Sequence, residues 1–239
     1  MNNLKGKVAL VTGAGRGIGK AIALMLADLG CRLVLAARTS SELESVQKDI
    51  RALGGDAIVV ACDLTQDADI YRLFDECQKQ CGSVDILVNN AGWGKRSSVV
   101  KANIEDWDRT FKLNLRAPML LAKSLLPKMI GKNDGAVINI GSVSGKTGEA
   151  NGAAYSASKF GLIGFTQSLF EEVREYGIKV AVILPGFVDT PLIPPNRQID
   201  RAKMIRPEDV AEAVHYVLTS AKTACPVEIT IRPQRTPSR

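Results

Sequence analysis

The chain has 239 residues, 46% hydrophobic and 23% charged, with a formal net charge of +6. That composition supplies a substantial buried core and excludes a disordered or fibrous chain. No apolar run reaches the roughly 18 residues of a membrane span, and no run of Lys and Arg interleaved with aromatics marks a nucleic-acid surface. The positive charge is therefore read as attraction for a phosphorylated small molecule or an acidic protein.

Short apolar, β-branched runs alternate with helical periodicity from end to end. Strands are predicted at 8–13, 32–38, 57–63, 85–92, 136–142, 179–186 and 228–231, and helices at 17–29, 41–53, 68–81, 104–130, 151–176 and 207–220. This is the sequence form of repeated strand-helix-strand units, and the continuous apolar strands suit a parallel sheet covered on both faces. The fold expected is a single-domain α/β, Rossmann-like doubly wound architecture over 1–231, with a seven-stranded parallel sheet and a basic tail at 232–239. Residues 196–205 and 232–239 read as weakly structured by composition. The opening residues enter a strand with no apolar leader, and five cysteines in no regular framework suit free thiols, so the cytoplasm is the expected compartment. Cys77 and Cys81 share a helix face but lack further ligands nearby, so no metal is expected. The single histidine, His215, reads as structural.

Between the first strand and helix stands TGAGRGIG, Thr12 to Gly19. Its glycines, Gly13, Gly15, Gly17 and Gly19, allow a tight turn whose backbone N–H groups, with Arg16 and Ile18 between them, face a pyrophosphate at a helix N-terminus. About 20 residues on, dinucleotide folds usually carry an acidic residue for a ribose hydroxyl. Here the second strand ends in Arg38, followed by Thr39 and Ser40, which favours the 2′-phosphate of NADP over NAD, with Arg16 placed to close on the same phosphate. Asp63 ends the third strand and Asn89-Asn90-Ala91-Gly92 the fourth, at the carboxyl edge where open parallel sheets bind ligands.

Tyr155 and Lys159 stand four residues apart in a helical stretch, which puts phenol and ammonium on one face. A nearby cation stabilises phenolate and lowers a pKa that otherwise lies near 10. Ser142, at the end of the fifth strand, can donate a hydrogen bond to a substrate oxygen.

With these features the chain resembles the short-chain dehydrogenase/reductase family, in order from about Leu4 to Ile231. TGAGRGIG is similar to that family's T-G-x-x-x-G-x-G turn and NNAG at Asn89 to Gly92 to its strand-four motif. Asn114, Ser142 and Tyr155-x-x-x-Lys159 match its catalytic positions, and PGFVDT from Pro185 its nicotinamide-side loop. The resemblance implies that Tyr155 passes a proton to the carbonyl oxygen while Ser142 polarises and orients that carbonyl. Lys159 would hold the nicotinamide ribose and lower the tyrosine pKa, and Asn114 would anchor a water linking Lys159 to solvent. Asp63 and Leu64 would face adenine, Asn90, Ala91 and Gly92 the ribose and backbone, and Pro185, Gly186, Val188 and Thr190 the nicotinamide end, the last two at its carboxamide.

The function implied is NADP(H)-dependent hydride transfer between nicotinamide and a carbonyl or secondary alcohol, resembling the 3-oxoacyl-carrier-protein reductase branch, with a small-molecule substrate that an acyl carrier or CoA could bear. An alcohol, polyol or steroid dehydrogenase of the same fold, or an NADP-binding regulatory protein without turnover, are the alternatives. Trp93 and Phe187 follow cofactor motifs, where they line the substrate pocket or simply pack. The segment 191–206 is short and proline-bearing where many relatives carry a longer lid, and the end of the chain lacks their glycine pair. Small residues around Asn114 and Tyr155 resemble the family's dimer-forming helices, so a homodimer or homotetramer is expected.

Overall fold

The computed structural model describes residues 4–191, 193 and 199–237. Its seven strands are β1 (Val8–Thr12), β2 (Arg32–Ala37), β3 (Asp56–Ala61), β4 (Ile86–Asn89), β5 (Gly135–Ile140), β6 (Ile178–Pro185) and β7 (Glu228–Ile231). They form one sheet in the order β3-β2-β1-β4-β5-β6-β7, every pair parallel. The central strands β1, β4 and β5 are mostly apolar because both faces are covered, the exceptions being the buried Thr12, Asn89 and Asn139. Leu10 in β1, for instance, lies between Val34 and Leu87 in register and is fully buried.

Helices α1 (Gly17–Asp28), α2 (Ser40–Ala52) and α7 (Pro207–Thr219) cover one face, packing Ile22, Leu26, Leu43, Ile50 and Val214 into one core layer. The other face carries α3 (Asp67–Cys81), α4 (Ile104–Phe111), α5 (Ala117–Lys132) and α6 (Ala153–Val173), with Leu73, Leu121, Leu125, Met129 and Leu169 in a second layer. The chain runs outward from β1 to β3, then crosses back to place β4 on β1's other side. The sheet order therefore reverses between β1 and β4, and a crevice opens at their carboxyl ends, the place where such sheets take ligands.

Two expectations change. The helix predicted at 104–130 is not continuous: α4 and α5 are joined by a π-helical turn at Lys112–Arg116. Pro118, in the first turn of α5, has no N–H to give the carbonyl of Asn114 four residues earlier, so the α-helical ladder breaks there. Nor are the segments expected to be weakly structured loose where described. Arg201–Lys203 forms a short 3-10 turn, Ile205 bridges Val188 in parallel, and the carbonyl of the buried Pro237 accepts a 2.9 Å hydrogen bond from Asp200 N. Residues 196–198 and 238–239 lie outside the described residues.

Candidate active site

A trough with a volume of about 830 Å³ follows the carboxyl edge of the sheet, lined by the glycine loop, the ends of β2 to β6 and the start of α6. Every residue singled out for cofactor or catalysis borders it except Gly19 and the buried Asn114.

The glycine loop is built as its sequence demands. Gly13 and Gly17 have φ of 63° and 55°, in the left-handed region where a side chain is strained. A Cβ on Gly19 would lie 2.2 Å from the Gly13 carbonyl oxygen, so the first turn of α1 closes on the loop only because both are glycines. A Cβ on Gly17 would stand 3.1 Å from the Thr190 methyl, which brings the loop after β6 directly over the phosphate end of α1. Arg16, Arg38 and Thr39 border the trough beyond the loop.

Asn90 has a positioning task. Its side-chain amide donates to the carbonyls of Thr12 at 2.9 Å and Gly13 at 3.2 Å, while the backbone N–H groups of Asn90 and Ala91 both donate to Thr12 Oγ1 at 3.0 Å. These bonds pin the glycine loop to the end of β4 across the switch point. Asp63 is likewise shaped by its turn. Its Oδ1 accepts from Thr65 N and Thr65 Oγ1 at 3.0 and 2.9 Å, and its own N–H donates to Asp69 Oδ2 at 2.7 Å. Asp69, on α3, carried no sequence signal for this task. Pro185, Gly186 and Val188 line the far end, where Gly186 N is anchored to the Ile231 carbonyl at 2.8 Å and Ile205 N to the Phe187 carbonyl at 3.0 Å.

Ser142 lies two residues past β5, and its Oγ accepts from Ser144 N at 3.1 Å, capping a 3-10 turn. Tyr155 enters from the first turn of α6, half-buried, with its ring against Gly94. A Cβ on Gly94 would lie 2.5 Å from Tyr155 Cδ2. Burial pushes the Tyr155 phenol above its usual pKa, and hydrogen bonding with Ser142 draws it back, as does the charge of Arg96; Glu149 adds to the upward push.

Lys159, one turn on, is 4% exposed and donates to the Ile140 carbonyl at 2.8 Å. Its Nζ stands 5.8 Å from the Tyr155 ring centroid, and burial lowers its pKa from 10.5 to about 8. The first cause of the phenol's upward shift is its own burial. The lysine is turned to the β5 carbonyl and desolvation governs Tyr155, leaving a protonated phenol beside a weakly held ammonium at neutral pH.

Asn114, at the centre of the π turn, is buried. Its Nδ2 donates to the Trp93 carbonyl at 2.8 Å and to Ser158 Oγ at 3.0 Å, and its Oδ1 accepts from Trp93 N at 2.9 Å. Both amide hydrogens are used, so the groups left for a water are one Oδ1 lone pair and the main-chain carbonyl. The Oδ1 stands 3.5 Å, and Lys159 Nζ 3.7 Å, from the point a Cβ on Gly92 would occupy. Asparagine and lysine therefore converge beside Gly92.

Trp93 does not face the trough. Its indole stacks under the Arg109 guanidinium, 4.7 Å from the ring centroid, while Arg109 and Phe187 do border the trough. The sequence reading also missed Glu149, which pairs with Arg96, accepts from Ser144 Oγ at 2.9 Å and borders the trough beside Tyr155. Behind the site runs a buried amide chain. Asn89 Nδ2 donates to Asn139 Oδ1, and Asn139 Nδ2 to Thr166 Oγ1, both at 2.8 Å. His215 sits on α7, with Nδ1 3.7 Å from Glu212 Oε2.

A parallel doubly wound sheet with a glycine-loop cradle and a Tyr-Lys-Ser group on one trough, with the buried Asn114 beside Gly92, defines a dinucleotide-dependent oxidoreductase. The family model described as short chain dehydrogenase matches residues 7–200, and the chain belongs to that family. Among curated relatives, an uncharacterised oxidoreductase of Staphylococcus aureus (strain MRSA252) is 38% identical over 234 residues, 98% of this chain and all of that protein. One from Staphylococcus saprophyticus is 35% identical over 237 residues with the same coverage. A metagenomic short-chain oxidoreductase solved in complex with NADP superposes with a TM-score of 0.86 at 38% identity, covering 98% of this chain and 100% of that one. A short-chain type dehydrogenase/reductase from Mycobacterium marinum gives 0.87 at 29% identity, over 97% and 96% of the two chains.

Proposed function

We propose that the protein is an NADP(H)-dependent carbonyl reductase acting on a 3-oxoacyl compound or another ketone. The observation that carries this reading is that the Tyr155 phenol and Ser142 border the same trough as Arg16, Arg38 and the glycine loop. A dinucleotide fits it: the glycine loop at the N-terminus of α1 holds the pyrophosphate, Arg16 and Arg38 the 2′-phosphate, Asp63 and Leu64 the adenine, and Gly186 to Thr190 the nicotinamide end. When bound, the nicotinamide supplies or accepts the hydride. The chain's residues handle the proton. Tyr155, protonated at neutral pH, donates to the carbonyl oxygen, and Ser142 fixes that oxygen by a second hydrogen bond. Lys159 holds the nicotinamide ribose, and Asn114 positions a water that returns protons to Lys159 from solvent.

Arg109 on the trough wall makes no ion pair with a carboxylate among the described residues, which suits a substrate that carries an anionic group, such as an acyl-carrier or CoA thioester. Exposed Phe111, Met119 and Phe160 on α4, α5 and α6 support self-association through that face as a dimer or tetramer. The five cysteines are all free thiols, which suits a reducing compartment such as the cytoplasm. The test is a panel of ketones, 3-oxoesters and aldehydes with NADPH, using wild type and Tyr155→Phe. Turnover on at least one class, lost by more than about 100-fold in the variant with NADPH affinity within twofold, supports the reading. Saturable NADPH binding without turnover on any class would replace it with a regulatory role.

A further inference from the structure

The arginine end of the trough holds a carboxylate that the dinucleotide reading does not use. Glu42, in the first turn of α2, lies across the glycine loop. A Cβ on Gly15 would stand 2.8 Å from Glu42 Cβ and 3.0 Å from its Oε2, so the side chain occupies space that only a glycine at position 15 leaves open. Its Oε1 is 3.4 Å from Arg16 Nη1, and both side chains border the trough together with Arg38 and Thr39. The pair is long and more than a third exposed on each side, so it is easily exchanged for a stronger partner. The Arg38 side chain makes no hydrogen bond or ion pair among the described residues, and the residue is exposed and borders the trough.

A phosphate at this end meets two guanidiniums and one fixed negative charge. It must take Arg16 from Glu42 and then remain beside the displaced carboxylate. A ribose bearing a free 2′-hydroxyl meets the opposite situation, because a carboxylate accepts a hydrogen bond from a hydroxyl and has no quarrel with a neutral group.

We infer that Glu42 is a cofactor-selecting residue: its carboxylate competes with the 2′-phosphate of NADPH for Arg16 and accepts the 2′-hydroxyl of NADH, so that the site binds both nucleotides with a softened preference. This rests on the reading that Arg16 and Arg38 hold the 2′-phosphate. Glu42 also lies favourably at the N-terminus of α2, and that role alone predicts a change in stability with no change in the ratio of the two affinities.

The experiment is calorimetric titration of NADPH and NADH, without substrate, into wild type, Glu42→Gln, Glu42→Ala and Arg38→Ala. Removing one charge beside a dianion in a half-screened setting corresponds to about tenfold in affinity. Glu42→Gln should therefore tighten NADPH about tenfold and leave NADH within twofold, since the amide keeps an acceptor for the hydroxyl. Glu42→Ala should also tighten NADPH while weakening NADH severalfold. A ratio that moves less than twofold in Glu42→Gln, or both nucleotides weakening together, overturns the inference. Arg38→Ala separates the two layers. Loss of NADPH but not NADH affinity there, with no ratio change in Glu42→Gln, sinks the role of Glu42 alone. No selective loss in Arg38→Ala sinks the phosphate site and the inference with it.

Discussion

Replacing Lys159 by methionine should change the pH dependence of stability by a predictable amount. The lysine's pKa is about 8 in the folded protein against 10.5 for the free side chain, so below pH 8 the fold carries the full cost of a buried ammonium. Between those values the unfolded chain binds more protons than the folded one, and stability rises with pH. Integrating this single titration from pH 7 to 9.5 gives about 2 kcal/mol regained by wild type and not by Lys159→Met. The buried thiols act oppositely. Cys31 is raised to about 11 and Cys62 and Cys77 to about 12, so above pH 9 the unfolded chain ionises them first and stability falls, equally in both proteins. Urea unfolding of wild type and variant at intervals from pH 7 to 9.5 isolates the lysine as the difference between the curves. The variant's relative stability should fall by about 2 kcal/mol, or roughly 4–8 °C in melting temperature for a chain of this size. Parallel curves would mean that Lys159 titrates at its ordinary value and that its site is not desolvated. The same titration predicts an alkaline limb in the wild-type reductive kcat/KM near pH 8, where the ammonium loses its charge while the phenol remains protonated.

Gly94→Ala places a methyl 2.5 Å from the Tyr155 ring, and relieving that overlap displaces the proton donor. The expected result is a kcat reduced by about tenfold or more with dinucleotide affinity nearly unchanged, whereas wild-type kcat would show that the ring yields without cost. Asn139→Ala removes the middle of the buried Asn89-Asn139-Thr166 chain and leaves the amide of Asn89 and the hydroxyl of Thr166 without these partners. It should cost about 2–3 kcal/mol in unfolding free energy, with KM values close to wild type; a loss under 0.5 kcal/mol would show that water replaces the amide.

Most of the seven strands were legible because a parallel sheet covered on both faces imposes a nearly unmixed apolar signal, while the edge strand β7, EITI, alternates polar and apolar residues. Runs such as VALV in β1 and VAVILP in β6 are apolar throughout, and valine and isoleucine supply much of them. The glycine loop and the arginine at the end of β2 were legible for a different reason: each is a departure from what a strand end ordinarily carries. Asn90 and Asp63 border the trough, yet their side chains bond to the protein itself, Asn90 to the glycine-loop carbonyls and Asp63 to its own turn. An asparagine that reaches back to two loop carbonyls looks in sequence the same as one that faces a ligand, because hydrogen-bond direction is a property of tertiary approach. Glu42, Glu149 and Arg109 carried no signal for the same reason. Each is a charged residue on a helix or loop, the commonest kind of surface position, and only the folding of α2, the 149 loop and α4 toward one edge gives it a site.

The break at Asn114 was readable in part. Periodicity over 104–130 runs on through the π turn, because one extra residue per turn shifts the apolar face by less than the width of that face. The signal lay instead in Pro118, whose missing N–H falls four residues after Asn114, where an α-helix needs a donor. That defect is what lets a helix interior serve the site. An asparagine in a regular turn would have its carbonyl bonded within the helix, and its side chain would be fixed by the α-helical phase. The π turn instead aims Asn114 at the backbone of Trp93 and at Ser158, so one side chain ties the end of the β4 loop to α6, the helix that carries Tyr155 and Lys159. The catalytic group is thereby held by a fault in the helical ladder, and the register of α4 against α6 decides where the phenol and the ammonium stand.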